Sequence, residues 1–375
     1  MNDDEQFMKM ALDLASLGRG TTSPNPMVGA VVVKNGKVIG KGYHQAAGLA
    51  HAEVNALDQA GSNAKNATLY VTLEPCNHHG RTPPCTEKII EAGIARLVVA
   101  MPDPNPGVRG GGLDYLAQKG LKIIRDVCHQ EAQELNEAFI KHITTGKPFV
   151  ILKCAATLDG QIATRSGDAK WVSSAASRNY VHHLRHAVDA ILVGIGTVHN
   201  DDPQLTTRLA GGGGQNPIRL ILDTNLRISE KARVVRTARE AQTWILSAKT
   251  AHTDETRAKR KRLENMGVRL VTAPIRQKHI DLAQLMITLG REQITSLLIE
   301  GGGEMIASAV ASEIGDKIMF FYAPKILGGN DGTPICKGQG KDRMQAAWPV
   351  SNIRIHRFED DIMIEGYLSQ KFHKT

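Results

Sequence analysis

The sequence predicts an α/β protein built from two domains, and three observations carry that reading. At 375 residues the chain exceeds what one hydrophobic core ordinarily organises. Strand and helix signals alternate along it, which implies largely parallel sheets covered on both faces. The alternation breaks at TTGKP, Thr144 to Pro148, and then restarts, so the expected domains are residues 1–146 and 147–375.

In the first domain, acidic residues open a helix over Asp3 to Leu17. MVGAVVVKNGKVIGKGYH reads as two strands joined at Asn35-Gly36, a pair that suits a tight hairpin turn. HAEVNAL opens a helix, ATLYVTLE is a strand, and CTEKIIEAG is a helix closed by Gly93. RLVVAM is a strand, PDPNPGVRGGG a turn-rich loop, and another helix runs to Lys119. The short strand LKIIRDV and the helix EAQELNEAFIKHI complete the domain. In the second, FVILKCAATLDG, VDAILVGIGTV, PIRLILD, TWILSA, VRLVTA and SLLIEGGG carry the pattern, with strand-rich KIMFFYAPKILGG and RIHRFEDDIMIEGYL at the end. Gly211 to Gly214 reads as a flexible surface loop, and Arg257 to Arg262 as a solvated helix face ending at Gly267.

Hydrophobic content of 42% and charged content of 22% fit a soluble globular protein. MNDDEQFMKMAL lacks the basic start and apolar core of a signal peptide, and no apolar run approaches the roughly 18 residues of a membrane helix. The expected location is the cytoplasm, with no membrane partner. There, five cysteines, an odd count, are poor evidence for disulfides. A net charge of +8 invites a nucleic-acid partner, but 4% aromatics leaves few rings to stack on bases. No nucleic acid is expected; the charge fits a generally basic protein, with attraction to anionic small molecules as an intermediate reading.

His51-Ala52-Glu53 precedes Pro75-Cys76 and Cys85, and LEPCNHHGRTPPC places both cysteines beside prolines, on turns. One imidazole and two thiolates are three good zinc (Zn2+) ligands, leaving the fourth position for water. Glu53, two residues from a ligand, then carries a proton without binding metal. That is the H-x-E and P-C-x-x-C layout of zinc deaminases, except that eight residues here separate Cys76 from Cys85. A purely structural zinc site remains open if His78 or His79 supplies a fourth ligand. Cys128, Cys154 and Cys336 have no such company.

SLLIEGGGEMIASAV is a strand, a glycine turn and a helix, an arrangement that suits a phosphate. It is not G-x-G-x-x-G, so a Rossmann site is not supported, and the glycines equally fit a mere chain turn. His182 and His186 stand one helical turn apart, as a second metal site would need. Without an acidic or cysteine partner nearby in sequence, a polar helix face suits them better.

HAE, EPC, the His- and Pro-rich insert and PPC, followed by KCAATLDGQIAT, SGDAKWVS, LRHAVDAILVGIGTVHNDDPQLTTR, LILD and IEGGG, resemble in that order the bacterial bifunctional riboflavin deaminase/reductase family. The resemblance implies a cytidine-deaminase-like N-terminal domain, a dihydrofolate-reductase-like C-terminal domain, zinc and NADPH as cofactors, and a homodimer. It implies deamination of a phosphorylated diaminopyrimidine ribosylamine, then reduction of its ribosyl chain to ribityl. It places Asn25, His44, His78 and Arg81 on the pyrimidine substrate, with Arg81 standing where some relatives carry lysine. Ala155, Trp171, Thr197 and Asp201 would touch the nicotinamide cofactor, with Gly302, Gly303, Glu304, Met305, Ile306, Ala307 and Ser308 around its phosphates. Arg185, Leu205, Arg208 and Glu300 would hold the second substrate, the two arginines offsetting its phosphate. Lys153, Asp201 and Glu300 are the ionisable groups expected nearest the reduction, where a positioned acid or base assists sugar-ring opening. Ala169 stands where relatives often have serine.

Overall fold

The computed structural model describes residues 3–78, 83–108, 111–248 and 253–368. The chain separates into two compact units, Met1–Gly146 and Lys147–Thr375.

The first unit has strands β1 (Gly29–Lys34), β2 (Lys37–Tyr43), β3 (Thr68–Val71), β4 (Arg96–Val99) and β5 (Lys122–Ile124), ordered β2-β1-β3-β4-β5. Its helices are α1 (Asp3–Ser16), α2 (Ala52–Ala60), α3 (Cys85–Glu91), α4 (Gly112–Gln118), α5 (His129–Leu135) and α6 (Glu137–Thr145). The β1–β2 turn carries positive φ at both Asn35 and Gly36, as a tight hairpin needs. That hairpin makes the sheet mixed rather than largely parallel. β1 runs antiparallel to β2 and β3, while β3, β4 and β5 are parallel. The expected helix over EAQELNEAFIKHI is interrupted at Asn136, which is 2% exposed. Its side-chain amide accepts the Met27 N–H at 2.8 Å and donates to the Met27 carbonyl at 2.9 Å, so it serves a distant backbone instead of the helix.

Close contact between α2 and β2 depends on glycine. A Cβ at Gly42 would lie 2.3 Å from the Ala52 carbonyl oxygen, and one at Gly40 would lie 2.2 Å from that of Ala56. The first turn of α2 therefore rests directly on strand backbone, and Ala52, fully buried, sits between His51 and Glu53.

The second unit carries β6 (Phe149–Thr157), β7 (Gln161–Ala163), α7 (Ala175–Ala187), β8 (Ala190–Gly194), α8 (Ile195–Asp201), β9 (Ile218–Leu222), α9 (Arg233–Arg236) and β10 (Thr243–Ser247). There follow α10 (Asp254–Asn265), β11 (Arg269–Thr272), β12 (Ile275–Arg276), β13 (His279–Ile280), α11 (Leu282–Arg291), β14 (Ser296–Glu300), α12 (Gly303–Ala311), β15 (Lys317–Ala323), β16 (Thr333–Pro334), β17 (Ser351–Phe358) and β18 (Asp361–Tyr367). Its main sheet is ordered β11-β10-β9-β8-β14-β6-β15-β18-β17. From β11 to β15 every ladder is parallel; β18 and β17 close that edge antiparallel. The central strands are nearly continuous in Val, Ile and Leu because both their faces are covered. Their carboxyl ends, at Gly194, Leu222, Glu300 and Thr157, share one edge, where open parallel sheets bind ligands. Among the described residues no helix is long and apolar enough to cross a membrane.

Replacing Gly42 with alanine forces α2 outward. A loss of about 1–3 kcal/mol in the stability of this unit is expected from the overpacking, read as a lower midpoint in urea unfolding. An unchanged midpoint would show that α2 shifts without cost.

Candidate active sites

In the first unit two helix starts deliver the expected ligands. His51 is the N-cap of α2, and Cys85 is the first residue of α3 after Pro84. Cys76 comes from the loop after β3. His51 Nδ1 lies 3.2 Å from Cys85 Sγ and 3.6 Å from Cys76 Sγ, and the Cys85 N–H points to Cys76 Sγ at 3.3 Å. One ligand atom from each residue falls within 4.8 Å of the others, and among the described residues this is the only such group. His78 is exposed and does not join it; His79 and Arg81 lie outside the described residues. The electrostatics suit a cation. A hydrogen bond from Cys85 pulls the Cys76 thiol down to about 4, while the same bond and burial push the Cys85 thiol up. A shared proton satisfies one sulfur at the other's expense, whereas a zinc ion satisfies both at once.

Glu53 is 3% exposed and its Oε2 has no hydrogen-bond partner among the described residues. Burial pushes its carboxyl upward, although the His51 charge opposes this. His44, also 3% exposed, donates from Nδ1 to the Ala50 carbonyl at 3.1 Å, because a carbonyl can only accept. Its Nε2 must then accept from Asn25 Nδ2 at 3.1 Å. Burial lowers its pKa and keeps it neutral, and its ring meets His51 edge-on at 5.5 Å. Asn25, His44, His51 and Glu53 are thus one neighbourhood.

Two supports escaped sequence reasoning. Glu74, within the EPC motif, accepts the N–H groups of Asp103 at 3.3 Å and Leu113 at 3.2 Å. Asn136 ties down Met27, two residues from Asn25. An asparagine amid helix formers was the one available hint for the second.

In the second unit Glu300, at the end of β14, pairs in register with Lys153 on β6. Arg185 on α7 grips Glu300 with both arms, Nε to Oε1 at 2.8 Å and Nη2 to Oε2 at 2.9 Å, while Lys153 Nζ stands 3.6 Å from Oε2. Burial would raise the Glu300 pKa, but Arg185 and Lys153 override it and hold the carboxyl at about 2. Arg208 is exposed, its Nη1 donating to Gln204 Oε1 and Thr206 Oγ1. Leu205 is buried and holds a positive φ of 56°. Thr197 and Asp201 lie on α8, and burial raises the Asp201 carboxyl against the pull of Lys170. Ala155 lies on β6, opposite Phe321. Trp171 is 64% exposed with Arg178 stacked at 4.5 Å.

The glycine triplet divides by role. A Cβ at Gly301 would strike Met305, and one at Gly303 would lie 2.3 Å from the Pro334 carbonyl oxygen. At Gly302, the N-cap of α12, a Cβ would meet nothing within 4 Å. Packing accounts for Gly303; Gly302 borders open space. In the segment Gly302 to Ser308, Met305 and Ile306 are core residues, and Glu304 pairs with Lys337 at 3.2 Å.

Comparison with known proteins agrees with both halves. The cytidine and deoxycytidylate deaminase zinc-binding region matches residues 1–101, and the RibD C-terminal domain matches residues 148–362. A riboflavin biosynthesis protein RibD from Aquifex aeolicus (strain VF5) is 46% identical over 325 residues, 87% of this chain and 88% of its own. The solved structure of Acinetobacter baumannii RibD, form 1, is similar with a TM-score of 0.87 at 34% identity, over 98% of this chain and 99% of its own. A diaminohydroxyphosphoribosylaminopyrimidine deaminase/5-amino-6-(5-phosphoribosylamino)uracil reductase from Thermotoga maritima reaches 0.84 at 36% identity, over 97% and 98%.

The Glu300 carboxyl, depressed from 4.5 to about 2, adds stability at pH above about 4.5 that is lost as pH falls through about 2. Urea unfolding over that range is expected to show the loss in the wild type and a flatter curve in Glu300→Gln; identical curves would mean the ion pair contributes nothing.

Proposed function

Because the chain belongs to the RibD family, we propose how its two sites divide the family's two reactions between them. The protein is a bifunctional deaminase and reductase of riboflavin biosynthesis, with a cytidine-deaminase-like first unit and a dihydrofolate-reductase-like second. The reading of the residues rests on one observation above others: the unpartnered Oε2 of buried Glu53 beside His51, Cys76 and Cys85.

In the first unit His51, Cys76 and Cys85 would hold zinc, and the bound ion supplies a Lewis acid that brings the pKa of water toward neutrality. Glu53 is placed to accept a proton from the attacking water and would hand it to the departing 2-amino group of 2,5-diamino-6-ribosylamino-4(3H)-pyrimidinone 5′-phosphate. Its Oε2 has no hydrogen-bond partner among the described residues. Burial excludes bulk water, so the proton stays within the site. Asn25 is oriented by His44, whose neutral ring is itself fixed by Ala50. With its amide nitrogen engaged there, Asn25 offers its oxygen to a pyrimidine donor. His78, exposed on the insert, faces the substrate from outside.

In the second unit the open space at Gly302 and the start of α12 suit the phosphates of a nicotinamide cofactor. NADPH is the form we favour, and when bound it supplies the hydride. Lys153 lies beside Glu300 and is placed to move a proton as the ribosyl ring opens. Arg185 is committed to Glu300, so its charge is balanced within the protein. Arg208, which is exposed, is therefore the better anchor for the substrate phosphate. A cytoplasmic homodimer acting on small phosphorylated pyrimidines accompanies this reading.

Glu53→Gln is expected to keep its zinc and lose ammonia release by about 10²–10⁴-fold, while reducing already deaminated substrate at the normal rate. Retained deamination removes Glu53 from the proton path. Cofactor fluorescence should saturate at lower concentration with NADPH than with NADH; equal affinities would reject the preference.

A further inference from the structure

The loop between α8 and β9 carries Arg208, and two histidines of α7 hold that loop by its backbone. His182 Nδ1 accepts the Arg208 N–H at 3.3 Å, and His186 Nδ1 accepts the Gln215 N–H at 3.0 Å. Positions i and i+4 put both rings on one face of the helix, one turn apart. Between these two anchors lie Gly211 to Gly214, all exposed, with φ between +71° and +88° at Gly212, Gly213 and Gly214. Such a stretch has little stiffness of its own. The stem is closed by the Thr207 N–H to Asn216 Oδ1 at 2.9 Å, and by fully buried Arg219 donating to the Gln204 carbonyl at 3.0 Å. Arg208 thus stands where a firmly held stem meets a pliant tip, and His182 bonds the main chain of that same residue.

The second metal site raised by the His182–His186 spacing gives way to this arrangement. An Nδ1 lone pair that accepts a backbone N–H is not available to a metal, and among the described residues no acid or thiol completes such a group. We infer that His182 and His186 are positioning residues for phosphate recognition in the reductase, acting through the backbone of the Arg208 loop. The inference rests on the assignment of Arg208 to the substrate phosphate. Burial, and then the charges of Arg185 and Arg208, hold the His182 pKa at about 4, so its ring is neutral and its Nδ1 can accept at neutral pH.

The test is steady-state reduction by the full-length protein, with deaminated substrate and with the same compound lacking its phosphate. His182→Leu removes the acceptor; His182→Asn keeps an oxygen near the place of Nδ1. For His182→Leu the KM of the phosphorylated substrate should rise about tenfold, the worth of one hydrogen bond, with kcat and the dephosphorylated substrate little changed. His182→Asn should restore most of the loss. An unchanged KM, an equal rise for both substrates, or a folded His182→Asn enzyme that does not recover the KM overturns the inference. Should His182→Leu not fold, His186→Leu carries the test by amide hydrogen exchange. Exchange across residues 207–215 should quicken, and unchanged protection there overturns the inference as well. Arg208→Ala separates the two levels. If it abolishes phosphate preference while His182→Leu preserves it, the histidine inference alone fails; if it leaves the preference intact, the Arg208 assignment fails.

Discussion

Two sulfurs and an imidazole nitrogen within 4.8 Å, beside a buried carboxyl, form a donor set that a shared proton satisfies only in part. One divalent cation could satisfy all three donors at once, and the surroundings of the first site suit that arrangement. The ligands come from the start of α2, the start of α3 and one loop, so the helix ends add partial positive charge where thiolates gather. Glu53 is carried to the same place by the helix that begins at His51. His51 and Glu53, the proposed ligand and the proposed proton carrier, are therefore set by one short turn, and no motion between elements can separate them.

That turn is held by backbone contacts rather than by large side chains. Gly40 and Gly42 let α2 lie directly on β2. Glu74 holds the backbone at Asp103 and at Leu113, and Asn136 fixes Met27, two residues from Asn25. The second unit uses charge instead. Arg185, Lys153 and Glu300 form a half-closed triad at the carboxyl edge of the parallel strands. Its net positive balance leaves Glu300 ionised, with Lys153 held beside it. A buried pair of this kind is retained for its placement more than for its stability.

The cluster of His51, Cys76 and Cys85 was legible because its chemistry is local. A histidine two residues from a glutamate, and two cysteines on proline turns, need no tertiary knowledge to suggest zinc. The hairpin at Asn35-Gly36 and the strands of the second unit were legible for the same reason: turn chemistry and hydrophobic runs are short-range. The mixed sheet was less so, since β1 pairs with β3 across the whole of α2. Partners that the chain brings from far apart left no trace. Arg185 and Glu300 are 115 positions apart, and Asn136 and Met27 are 109 apart. The break at Asn136 looked like a tolerable residue within a helix; only its partner explains it. Likewise His182 and His186 had the spacing of a metal pair, and only the returning loop shows what their ring nitrogens accept.

The central claim is a zinc ion with three protein ligands and a fourth position open to water beside Glu53. X-ray absorption at the zinc edge of the purified protein tests it most directly. Two sulfurs at about 2.3 Å and two lighter atoms at about 2.0–2.1 Å are expected, with only one of the lighter atoms showing the outer-shell scattering of an imidazole ring. A second imidazole in that sphere would mean that the insert closes the site with a histidine, and a hydrolytic role for this metal would be contradicted.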